Sequence, residues 1–149
     1  MEDRWTALVT HALSAGLTVR CTATGQSMEP AVRDGETIVV EPVNTNDLAT
    51  GMVILARAGG RELAHRVVQV ERDAAGAVIG VRTRGDAVAG DDPPVLPADV
   101  RGRVVAVARD GRDVTVPLVP ASPGRLMEWI VAAAVLGLLI MALTWARTR

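Results

Sequence analysis

The chain is 149 residues long with a formal net charge of -1, and its 16 basic residues are all arginine. That length suits one domain with a single modest core, and arginines scattered without a basic stripe give no reason to expect a nucleic-acid partner. There is no Phe and no Tyr, so the core must be built from Val, Leu, Ile, Ala and Met, and the lone Cys21 excludes an intrachain disulfide.

Residues 2–15 carry Trp5, Leu8, Val9 and Leu13 at helical spacing, with Asp3 near the start and Gly16 at the end. The segment is too short and too polar to span a bilayer, and it lacks the basic leader and apolar core of a cleavable signal. His11 within it reads as a surface or packing residue. Residues 17–24 then alternate apolar and polar, the period of a half-buried strand, with Cys21 on the apolar face beside Val19 and Ala23 as a small buried thiol. Gly25 and Pro30 interrupt this pattern on either side of Ser27, which places the serine on a turn just past a strand end.

Further short β-like segments follow at 36–40, 52–57, 63–70, 77–82, 104–108 and 114–118, with turn signals between them. Ala58-Gly59-Gly60-Arg61 predicts one hairpin and Arg109-Asp110-Gly111-Arg112 another. The expected fold is a mostly antiparallel β domain, a sandwich or an open barrel. On the return strand of the first hairpin, Leu63, His65 and Val67 share a mainly apolar face, a setting that favours a neutral imidazole. Residues 83–94 form a loop punctuated by glycine and proline and carrying Asp86, Asp91 and Asp92, whereas Asp34 and Asp110 read as turn formers.

Residues 129–146 are uncharged and mostly apolar, bracketed by Glu128 on one side and by Arg147 and Arg149 on the other. Trp129 and Trp145 would stand about 24 Å apart along a helix, which suits the two interfaces of a membrane. The resulting division is an N-terminal helix over 1–16, a β-rich domain over 17–119, a linker over 120–126 and a transmembrane helix over 127–146. Arg147 and Arg149 favour a cytoplasmic C-terminus and an extracytoplasmic domain. Carrying that domain across without a leading signal is difficult, so the orientation stays open.

A serine hydroxyl needs a base within hydrogen-bond reach to become a nucleophile. In a chain without lysine, histidine must supply it, and a carboxylate beside that histidine would fix its tautomer. His65 and the aspartates of the 83–94 loop fit those needs. In chain order, Ser27-Met28-Glu29-Pro30, Gly51 with the apolar strand after it, His65-Arg66-Val67, Arg84-Gly85-Asp86 with Asp91-Asp92, and Gly102-Arg103-Val104 together resemble the type I signal peptidases. The likeness is to their histidine-using branch, found in archaea, in the endoplasmic reticulum and in some bacteria. Each motif alone is common, but five in the right order are specific.

The resemblance implies a membrane-anchored serine endopeptidase that removes signal or leader peptides, preferring small residues such as alanine before the cut. It implies Ser27 as nucleophile, His65 as base, Asp92 as the partner of His65, and Asp86 supporting the loop or the histidine. The Ser27 N–H would belong to an oxyanion hole, with Gly25, Gln26, Met28 and Pro30 in the substrate and oxyanion region. No metal or cofactor is called for. The implied partners are preprotein or leader-peptide substrates and the lipid bilayer, with secretion machinery or partner subunits as further candidates. One position departs from the pattern: many relatives have a serine, thought to be a second oxyanion donor, where this chain has Gly25.

Three other readings compete. One is a maturation peptidase dedicated to one partner protein. Another is a binding module of the same fold that lost turnover, to which Gly25 lends weight. The third rests on Gly25-Gln26-Ser27-Met28, which also resembles the serine turn of self-cleaving repressors; those use a lysine base and carry a DNA-binding domain, and neither is read in this sequence.

Overall fold

The computed structural model describes residues 2–118. Helix α1 (Glu2–Ser14) precedes seven strands among these residues: β1 (Val19–Thr22), β2 (Thr37–Glu41), β3 (Val53–Ala58), β4 (Arg61–Arg72), β5 (Val78–Arg84), β6 (Val100–Arg109) and β7 (Arg112–Thr115). All pair antiparallel in one sheet of order β1-β2-β6-β3-β4-β5, with β7 added to β6. The sheet curls into an open half-barrel. Of the two architectures expected, the two-sheet sandwich therefore gives way to a single bent sheet. The bend has a local cause: the ladders shift register at Val39/Val40, Leu55/Ala56, Val67/Gln69 and Glu71/Arg72, and such bulges bend and twist a strand.

The apolar run in β3 follows from burial on both faces. Val53 and Leu55 join one core with Val9 and Leu13 of α1, Met28, Val40, Val104 and Val107. The alternate residues Ile54 and Ala56 point to the other face and join a second core with Leu48, Val67, Val81 and Val95. Helix α1 covers the first face through a narrower stripe than its spacing predicts. Val9 and Leu13, four residues apart, are buried, whereas Trp5 and Leu8 are exposed.

Strand β4 is longer than expected because it serves two partners. Residues 61–66 pair with β3, and the ladder to β5 begins only at Arg66, so among the described residues the 61–65 segment has a strand on one side alone. Both expected hairpins close where predicted, at Ala58↔Arg61 and at Arg109↔Arg112. The last strand ends at Thr115, earlier than its sequence pattern suggests. Val116 then turns into the first core while its N–H donates to the Val105 carbonyl at 3.1 Å. The predicted linker over 120–126 and transmembrane helix over 127–146 lie outside the described residues. Among the described residues no helix is long and apolar enough to cross a membrane.

Candidate active site

The serine lies on an excursion between β1 and β2 that is tied at its neck. The ladder continues one step beyond the strands, with Ala23 N–H donating to Glu36 O at 2.8 Å and Gly35 N–H to Ala23 O at 2.9 Å. Asp34 accepts from the Gly25 N–H at 2.8 Å, the turn-shaping part expected of it. Inside the excursion Val32 N–H donates to Met28 O at 3.0 Å, and the side chains of both residues are buried in the first core. Met28 therefore anchors the turn from below. Ser27 is half-buried, while Gly25, Gln26 and Pro30 are exposed and the Glu29-Pro30 peptide is cis. Among the described residues the N–H groups of Gln26 and Ser27 have no hydrogen-bond acceptor.

Strand β4 brings His65 to this turn. Its Nε2 is 2.8 Å from Ser27 Oγ, and its Nδ1 is 2.6 Å from Asp92 Oδ2. A carboxylate can only accept, so Nδ1 carries the proton of the neutral ring; Nε2 is then a lone pair, and the serine hydroxyl must donate to it. That is the protonation state in which a histidine can receive the hydroxyl proton. Asp92 is itself held by β5, where Thr83, fully buried, donates its hydroxyl to Asp92 Oδ2 at 2.8 Å and accepts the Asp92 N–H on its carbonyl at 2.8 Å.

Asp86 lies elsewhere in the same loop. It does not bond His65 but takes two hydrogen bonds, each 2.7 Å, from Nε and Nη2 of Arg66. Its partner is thus Arg66 and not His65. The same loop rests on Ser27: Ala87 N–H donates to Ser27 O at 2.8 Å, and a Cβ on Gly85 would stand 2.5 Å from that oxygen. Only glycine permits so close an approach. Asp91 pairs with Arg84 at 2.5 Å and closes the base of the loop.

Ser27, His65 and Asp92 thus form one hydrogen-bonded chain, with Asp86 beside it. Arg66 and Gly85 were visible inside the quoted motifs, but nothing in their spacing gave them a part. Thr83 left no signal, because a β-branched residue on a strand looks like filler. The remaining candidates stand apart. His11 is exposed on α1, and the half-buried Cys21 has its thiol pushed up by burial, away from the reactive thiolate. Beneath the excursion, a hydrogen bond from Arg109 holds the Glu36 carboxyl below its ordinary value, and Glu36 also accepts the Arg33 N–H at 2.8 Å. Among the described residues no group of three or more His, Cys, Asp or Glu side chains is placed to hold a metal ion.

No curated protein matches the chain. A family model described as Peptidase S24-like matches residues 6–91, more than half of the sequence, a span that includes Ser27, His65 and Asp86 and ends one residue short of Asp92. The chain belongs to the Peptidase S24-like family.

Proposed function

We propose that this protein is a serine endopeptidase that cuts signal or leader peptides from preproteins and is held at a membrane by residues 127–146. The observation that carries the reading is the continuous relay from Ser27 through His65 to Asp92, at 2.8 and 2.6 Å. Ser27 attacks the scissile carbonyl while His65 takes its proton, Asp92 stabilises the imidazolium, and His65 returns the proton to the leaving amine. Water then hydrolyses the acyl-enzyme with His65 again as base. The N–H groups of Ser27 and Gln26 are the donors for the oxyanion, each worth about 3 kcal/mol in such a role, and they offset the missing serine at Gly25.

The unpaired side of β4 supplies a reason for an extended substrate. Residues 61–65 lead to His65 with no strand on their other side among the described residues, and a peptide added there would gain main-chain hydrogen bonds without regard to most of its side chains. A leader peptide cut in an extended segment fits that requirement.

The test is cleavage of a synthetic leader peptide by the purified full-length chain, wild type against Ser27→Ala and His65→Ala. Loss on the order of 10⁴-fold is expected in each variant. Cleavage that survives Ser27→Ala would remove the serine mechanism, and cleavage that survives His65→Ala would remove its base. Protease accessibility of residues 1–118 in sealed vesicles reports the membrane side; release of the chain by alkaline carbonate would overturn the anchor.

A further inference from the structure

Arg66 has more donors than Asp86 uses. Its Nη1 donates to the Gly51 carbonyl at 2.7 Å and to the Pro117 carbonyl at 2.6 Å. Pro117 is 51 positions away in sequence and belongs to residues 116–118, where the chain leaves the sheet toward residues 119–149. This exit segment packs against Gly51. A Cβ there would stand 2.5 Å from the Leu118 carbonyl oxygen, and Gly51 has φ +99°. Both facts require glycine.

We infer that residues 116–118 are a positioning segment for the site: they set the Arg66 guanidinium, and through Asp86 they set the placement of Ser27 against His65. The inference rests on the catalytic reading above for its effect on turnover, but the mechanical path is independent of it. A guanidinium is a rigid planar fork. With one nitrogen fixed by Gly51 and Pro117, its plane determines where Asp86 can accept two bonds. Asp86 in turn sits between Gly85, in contact with Ser27, and Ala87, whose N–H holds the Ser27 carbonyl. A shift of the exit segment therefore tilts the guanidinium, moves Asp86 and moves the serine. A displacement of the chain at residue 118 reaches the nucleophile without touching substrate.

The experiment uses the full-length chain with Gly51→Ala, which pushes on the Leu118 carbonyl and leaves the side chains of Ser27, His65 and Asp92 unchanged. Amide hydrogen exchange is read at Ala87 N–H, with Ala23 N–H at the neck of the excursion as internal control, together with kcat and KM on a soluble leader peptide. Expected are exchange at Ala87 faster by about tenfold or more with Ala23 unchanged, and kcat lower by about tenfold or more with KM within about twofold, since small misplacements of a nucleophile act on turnover. Arg66→Lys should behave the same way, because a single ammonium cannot hold both carboxylate oxygens and both carbonyls. Leu118→Gly, at an exposed side chain, loosens the segment without disturbing the core and should show the same pattern at smaller amplitude. Should Gly51→Ala or Arg66→Lys fail to fold, Leu118→Gly decides. Folded variants with wild-type protection at Ala87 and unchanged kcat would overturn the inference, as would equal loss of protection at Ala23 and Ala87. Leader cleavage that persists in Ser27→Ala would instead remove the catalytic reading, and the exchange result would stand by itself.

Discussion

Two consecutive residues of β4 each reach an aspartate in the same loop, and the two pairs differ in how much water they see. His65 and Asp92 are 12% and 17% exposed, share a single hydrogen bond, and have the Ser27 hydroxyl on the far side of the ring. Arg66 and Asp86 are 3% and 2% exposed, share two hydrogen bonds, and the guanidinium spends its remaining bonds on backbone carbonyls. Successive side chains of a strand point to opposite faces, so one strand can present His65 to Ser27 and a permanent charge to the interior. A group that must gain and lose a proton needs access and a free lone pair. A group that only holds position is better buried, with hydrogen bonds made by each of its nitrogens.

The largest effect that would break this comparison is on turnover. His65 Nδ1 and the Thr83 hydroxyl both bond Oδ2 of Asp92, so in Asp92→Asn an amide nitrogen at that position gives up the bond from Thr83 and donates to Nδ1, which would put the ring proton on Nε2 and leave nothing to accept the serine proton. Activity should fall on the order of 10³- to 10⁴-fold with little change in thermal midpoint, as read by peptide cleavage beside calorimetry. Near wild-type turnover in Asp92→Asn would mean that the two pairs do not differ in kind.

Next comes stability. Asp86→Asn leaves the Arg66 charge buried without its partner and should cost about 3–5 kcal/mol, measured by urea unfolding. Replacing both residues with apolar ones of similar size, Arg66→Met with Asp86→Leu, should recover much of that stability while turnover stays low. An Asp86→Asn variant of wild-type stability would show that the pair holds nothing.

The smallest effect sharpens the contrast with an ion pair at the rim. The Glu36 carboxyl is held below its ordinary value by Arg109, so this contact adds stability above the unfolded carboxylate range, and the gain is lost as pH falls through the lower folded value. Its magnitude should be under about 1 kcal/mol, typical of ion pairs near the surface. Glu36→Gln should therefore lower the thermal midpoint by a few degrees near pH 7, and the gap to wild type should close at pH below about 4. A gap that widens toward acid would reverse the sign assigned to this group.

Much of the local structure was legible in the residues. The alternation in 17–24 and the breakers Gly25 and Pro30 put Ser27 on a turn, and both hairpin turns closed at the residues that predicted them. The length of β4 was not legible, because pairing with β3 on one side and β5 on the other depends on partners distant in sequence. Nor was the exposure of Trp5 and Leu8, since helical spacing says which side chains share a face but not how wide a stripe the sheet will cover. The motifs of the resemblance single out Ser27, His65, Asp86 and Asp92 together; spacing alone leaves three aspartates of one loop equivalent.

The sequence by itself determined that any serine nucleophile here must rely on histidine, since composition contains no lysine, and it located both groups through short-range patterns of polarity and turn residues. The resemblance already implied Asp92 as the partner of His65; only the tertiary structure decided that Asp86 pairs with Arg66. That choice depends on the path of the 84–92 loop over Ser27, on the hydroxyl of Thr83, and on the carbonyls of Gly51 and Pro117. Backbone carbonyls are the same in every residue and carry no mark in a sequence, so the side chain they hold can be identified only when the chain has folded around it.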